Sequence, residues 1–135
     1  MSIIVTDRGF GRDDWTAPVT PLAEAGIDAT ALDLPNDTNP ADLAGRLEGV
    51  RFIRVAFPSA TDGRGFCIAR QLRLMGYRGR LRAAGHVIAD QYAMARRSGF
   101  DEVEISDALA ARQPEPDWLF RANWQAHDYQ TRLRG

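Results

Sequence analysis

Apolar residues recur along this chain with two periods. Ile3 to Thr6, Ile27 to Leu34, Val50 to Phe57, Arg80 to Ala84 and Asp101 to Ile105 form short alternating or branched runs, which predicts five strands. The strongest is Val50 to Phe57, with Ile53, Val55 and Phe57 on one face and Phe52, Arg54 and Ala56 on the other. Between the strands, apolar residues return at helical spacing. Leu43 and Leu47 predict a helix from Pro40 to about Leu47, opened by the Asn39 cap. Ile68, Leu72 and Met75 predict a second, ended by Gly76. Val87, Met94 and the Ile88, Gln91, Ala95 line predict a third, from about His86 to Arg97. Ser106 or Asp107 is placed to cap a short helix through Ala111, and Asp117 to Ala126 reads as the last. Pro21 to Gly26 reads as a turn of helix or an irregular connection.

This alternation with short connections predicts repeated βαβ units. The expected fold is α/β: a small, open, mostly parallel sheet with helices on both faces, a Rossmann-like or flavodoxin-like three-layer architecture. With 135 residues the chain holds one domain, residues 1–135. Trp118, Leu119, Phe120 and Trp124 crowd the segment 114–130, which either packs on the core or meets the partner of a homodimer. Trp15, after Asp13 and Asp14, is either a lid on the core or an exposed docking aromatic.

Charge narrows the function classes. Seventeen basic side chains stand against eighteen acidic ones, a net of −1, so no general attraction to nucleic acid or an anionic membrane is expected. The chain opens without a basic leader, and no apolar run approaches a membrane span, so a cytoplasmic protein is the expectation. A single cysteine, Cys67, rules out an internal disulfide and gives no support to a multi-cysteine metal or iron–sulfur site. The two histidines, His86 and His127, are far apart, and His127-Asp128 reads as a solvated tail; no metal is expected. The basic side chains are arginines, whose planar forks suit oxyanions and carboxylates, although a base-composition bias produces the same pattern.

The sharpest local signal is Thr61-Asp62-Gly63-Arg64-Gly65, between a strand and a helix. In a parallel sheet this turn lies at the carboxyl edge, where Gly63 and Gly65 permit close backbone approach and Arg64 is placed to hold an anion. The alternative is structural: Asp62 caps the helix or pairs with Arg64, and the glycines serve the turn. The pattern is neither a phosphate-binding P-loop nor a complete dinucleotide motif. A second glycine turn, around Gly85, places Arg82 and His86 toward the same edge, and Asp90 is spaced to pair with His86 or to hold Arg82 or Arg64. Gln91 is available to satisfy a loop backbone. Arg54, within the best strand, requires water, a carboxylate or a ligand anion. Cys67 sits where a helix start favours a thiolate, but its neighbours Phe66 and Ile68 suit a buried packing residue. Glu102 and Glu104 share a strand face without a pocket signal.

The ordered motifs Asp62-Gly63-Arg64-Gly65-Phe66, Ala69-Arg70-x-Leu72-Arg73, Gly76-Tyr77-x-Gly79, Leu81-Arg82-Ala83-x-Gly85, Asp90-Gln91 and Arg97-x-Gly99-Phe100-Asp101 resemble the bacterial domain-of-unknown-function family 934. Members are often labelled as oxidoreductases associated with sulfite reductase. The resemblance implies a part in sulfate assimilation and cysteine biosynthesis, beside sulfite reductase or the adenylylsulfate-reducing enzyme. It supplies no catalytic residues; its motif positions fall on Asp62, Gly63, Arg64, Gly65, Arg82, Gly85, Asp90 and Gln91. Three functions follow as expectations. The first is an accessory protein that binds an oxyanion, or docks on the reductase, through Arg64 and Arg82, with Asp62 and Asp90 orienting them. The second is a small enzyme acting on a sulfur oxyanion or an adenylylated intermediate, its cofactor unspecified. The third is a structural dimerisation module.

Overall fold

The computed structural model describes residues 2–125. His127, Asp128 and the end of the 114–130 segment lie outside them. Among the described residues seven strands form one open sheet: β1 (Ser2–Thr6), β2 (Gly9–Gly11), β3 (Thr20–Pro21), β4 (Ala31–Leu34), β5 (Phe52–Phe57), β6 (Arg80–Gly85) and β7 (Glu102–Ser106). Their spatial order is β2-β1-β7-β6-β5-β4-β3. Strands β3 to β7 run parallel, and β1 is antiparallel to both of its neighbours. Four helices complete the small α/β three-layer fold: α1 (Arg64–Leu74), α2 (Tyr92–Ser98), α3 (Asp107–Arg112) and α4 (Glu115–Leu119).

The strand register divides the sheet into two unlike faces. Leu32, Ile53 and Leu81 stand level across β4, β5 and β6, and Leu34, Val55, Ala83, Val103 and Val5 stand level one step on. These side chains join Ile68, Ala69 and Leu72 of α1, Tyr92 and Ala95 of α2, Leu109 of α3 and Trp118 of α4 in one buried cluster. Burial of this apolar surface, at roughly 25 cal/mol per Å², is the main force holding the helices to the sheet. The connections β4 to β5, β5 to β6 and β6 to β7 contribute Leu43, Ile68 and Tyr92 to this one cluster, so they lie on the same side of the sheet.

The opposite face carries Asp33, Arg54, Arg82 and Glu102 level across four adjacent strands. It is covered by the stretch 12–19, which leaves β2 at one edge and reaches β3 at the other. Six strand spacings amount to about 29 Å, and nine residue steps reach about 30 Å when extended. The stretch therefore has to run nearly straight across the sheet. Trp15 stacks on Phe52, their ring centroids 4.7 Å apart. That position settles Trp15 as a lid.

Several local expectations change. The helix expected from Pro40 to about Leu47 is two 3-10 turns, Pro40–Leu43 and Leu47–Gly49, because Ala44 leaves the helical region (φ −56°, ψ 132°) and Gly45 takes a positive φ between them. Asn39 does cap the first turn, its Oδ1 accepting the Ala41 N–H. The helix expected from His86 starts as a 3-10 turn at Ala89 and becomes α-helical only at Tyr92. Met75 and Met94, assigned to buried stripes, are exposed. Ser106 Oγ accepts the Leu109 N–H and is the cap of α3. The last expected helix is shorter and earlier, with Pro116 in its first turn. Trp118 is 1% exposed and meets Tyr92 edge-on at 6.2 Å, so this part of the aromatic segment closes the core.

Candidate functional site

The glycine turn is internally satisfied. Asp62 Oδ1 accepts the Arg64 backbone N–H at 3.1 Å, and both carboxylate oxygens take the Arg64 guanidinium, at 3.1 and 2.9 Å. Asn36 donates a further hydrogen bond to Asp62 Oδ2. Hydrogen bonds from Arg64 lower the Asp62 carboxyl to about 2. The negative charge that a helix start favours is thus already supplied by the chain itself. Gly65 has a packing reason, since a β-carbon there would collide with the Phe57 ring. Gly63 has none of that kind: its φ is −90° and a β-carbon would sit 3.7 Å from Phe66.

Arg82 does not join Arg64. It is 1% exposed and is held by three carboxylates: Glu102 at 2.5 Å, Glu104 at 2.9 Å and Asp13 at 2.9 Å. Burial opposes its charge, but the hydrogen bond it donates to Asp13 and the charge of Glu102 outweigh that and hold its pKa above the ordinary arginine value. Its guanidinium also lies over Phe52, 4.8 Å from the ring centroid. Arg80 bridges Asp14 and Glu102 at 2.5 and 2.8 Å. Arg54 finds its partner in Asp33, at 3.2 and 2.9 Å, with Glu104 at 3.5 Å. The pair Glu102 and Glu104 is therefore the counter-charge of an arginine ladder on the polar face.

The remaining candidates separate. Asp90 pairs with Arg121 at 2.9 Å, not with His86, Arg82 or Arg64. The reason is that 86–88 is not helical, so the four-residue spacing no longer aligns His86 with Asp90. Cys67 is exposed, not buried, because the inward residues of α1 are Gly65, Phe66, Ile68, Ala69 and Leu72. Gln91 serves as expected: its Nε2 donates to the Ala60 carbonyl at 2.7 Å, and its Oε1 accepts the Ile88 N–H at 3.1 Å. Among the described residues no group of three or more His, Cys, Asp or Glu is placed to hold a metal ion. No helix among them is long and apolar enough to cross a membrane.

What the loops after β5 and β6 do build is a cavity of about 490 Å³ at the carboxyl edge of the sheet, closed on its third side by α3. Pro58, Ser59 and Ala60 come from the first loop, His86 and Ile88 from the second, and Leu109, Arg112 and Gln113 from α3 and its end. Among the described residues no carboxylate lines it. Two glutamines fix its walls: Gln91 ties the second loop to the first, and Gln113 Oε1 accepts the Ala89 N–H at 2.6 Å. Of the sequence candidates only His86 reaches this space. Arg112, which sequence reasoning missed, stands in an Ala-rich helix with nothing beside it to signal a site.

A family profile described as "Bacterial protein of unknown function (DUF934)" matches residues 31–134. No curated protein and no solved structure matches the chain.

Proposed function

The chain belongs to this bacterial family of unknown function, and from that premise we propose that it is an accessory binding protein for a sulfur oxyanion in sulfite reduction. The observation that carries the reading is the carboxylate-free cavity at the carboxyl edge of a parallel sheet, with Arg112 and His86 in its lining. Ligands of open α/β sheets bind at that edge, and arginine matches a tetrahedral oxyanion with a two-pronged donor set. The anion site thereby moves away from Arg64 and Arg82, whose forks are already taken by carboxylates. Titration of sulfite, sulfate and phosphate into the purified chain by calorimetry tests it. Saturable binding is expected, weakened at least tenfold by Arg112→Ala; no binding, or binding indifferent to Arg112→Ala, would sink the proposal. Association with sulfite reductase, measured with and without the anion, tests the accessory part.

A second reading is a small enzyme acting on the same oxyanion, favoured by the presence of His86 and the Ser59 hydroxyl in the lining. It requires turnover by the isolated chain that His86→Gln abolishes while binding persists.

A further inference from the structure

We infer that the ligand of this cavity is an organic oxyanion, an apolar body carrying one phosphate, sulfate or sulfonate group, and not a bare inorganic ion. The inference rests on the oxyanion site proposed above and specifies its occupant. The volume, about 490 Å³, falls within the roughly 300–1,000 Å³ typical of pockets for organic ligands. A tetrahedral anion held by Arg112 would fill a small part of it.

Half of the lining residues are apolar, facing the polar Ser59, His86, Arg112 and Gln113. Pro58, Ile88 and the nearly buried Leu109 line the space together with the methyl of Ala60. These groups come from three separate elements, so they do not reflect the amphipathicity of one helix. Hydrogen bonds within the chain hold them in place. Gln91 and Gln113 each hydrogen-bond the loop opposite, and the Trp118 indole N–H clamps the Gln113 carbonyl at 2.8 Å. A preformed apolar wall beside a cationic rim gains most from a ligand that desolvates the wall and neutralises the rim together. Among the described residues the lining holds no carboxylate to pair with the positive end of a cationic or zwitterionic ligand.

The test uses the full chain and four probes: inorganic phosphate, inorganic sulfate, phenyl phosphate and phenyl sulfate, with phenol as the uncharged control. Each aryl ester should bind at least tenfold more tightly than its inorganic anion, about 1.4 kcal/mol. Arg112→Ala should reduce the aryl esters to the level of phenol. Ile88→Ala should narrow the gap between ester and inorganic ion without changing the affinity for the ion. Thermal melting verifies each variant, and Ile88→Val replaces Ile88→Ala if the latter unfolds. Equal affinity for the esters and the inorganic ions overturns this inference and leaves the oxyanion site standing. Ester binding that survives Arg112→Ala overturns both the inference and the site, as does loss of all binding in the wild type.

Discussion

Arg82 and Arg112 belong to the same sheet neighbourhood, yet their surroundings set them opposite tasks. Arg82 rises from the middle of β6 beneath the crossing stretch 12–19, and three carboxylates from two different parts of the chain close around it. Arg112 ends α3 at the carboxyl edge, exposed, in a cavity that His86 also lines and that no carboxylate among the described residues lines. A guanidinium that its own protein has saturated contributes structure. One left facing a carboxylate-free cavity has its donors available to a ligand. An arginine-rich composition does not by itself separate these cases, and the difference lies in which acidic side chains the topology brings within reach.

The largest effect follows from removing the saturated partner. Arg82→Ala leaves Glu102, only 4% exposed, and Glu104 with less of their counter-charge. Breaking a buried pair in this way costs about 3–5 kcal/mol. Urea denaturation should show that loss, and the double variant Arg82→Met with Glu102→Leu should recover part of it, since no buried carboxylate then lacks its partner. A cost below about 1 kcal/mol for Arg82→Ala would mean that the ladder is solvated and the contrast with Arg112 is empty.

Next come the glycines that flank the two loops. Gly85 has φ +123°, and a β-carbon there would press on the Phe57 carbonyl. Gly85→Ala should therefore lose about 1–3 kcal/mol through backbone strain. Gly63→Ala, at an ordinary φ in open surroundings, should stay within about 0.5 kcal/mol. Thermal melts of the two variants decide whether the glycine turn is a packing device at Gly65 and Gly85 or a ligand cradle that also requires Gly63. Equal losses at Gly63 and Gly85 would favour the cradle.

Most of the parallel strands were legible because their patterns are local. Val50 to Phe57 is rich in branched and aromatic residues, and Asn39 caps a turn as expected, although the helix expected to continue to Leu47 does not form. β2 and β3, with three and two residues, are too short to show any period. The polar-face ladder was illegible for a different reason. Arg82 meets Glu102 and Asp13 across 20 and 69 positions of sequence, pairings that only the strand order determines. Asp13-Asp14 was visible as a pair of like charges, but its arginine partners were not. Helical periodicity misled at His86 because Gln91 draws the chain into a 3-10 turn before α2 begins.

Acid should loosen the saturated region. Arg82 and Arg80, by hydrogen bonding, hold the Asp13 and Asp14 carboxyls below their ordinary value, and Arg64 does the same for Asp62. Burial raises the Asp7 carboxyl, but hydrogen bonds from Tyr92 and Arg96 outweigh it and leave it lowered as well. Groups with a depressed folded-state pKa contribute stability that is complete above the unfolded value of 3.8 and lost as pH falls through the folded value. Melting temperature should accordingly decline below about pH 4 and continue to decline toward pH 2. Asp13→Asn should flatten part of that decline; an unchanged profile would show that its pairing with Arg82 contributes nothing.

Arg112→Ala should change stability least of all. The side chain is exposed, α3 is short, and its removal orphans no carboxylate in the cavity. Arginine near a helix C-terminus interacts favourably with the helix dipole by about 0.3–1 kcal/mol at most, and alanine's higher helix propensity offsets some of that. The expected shift in unfolding free energy is thus within about 0.5 kcal/mol. Denaturation of this variant beside Arg82→Ala puts the comparison on one scale: a large loss at the arginine saturated by carboxylates, and a near-zero loss at the one proposed to hold the ligand. A loss at Arg112 comparable to that at Arg82 would make it a structural residue and remove the reason to place an oxyanion there.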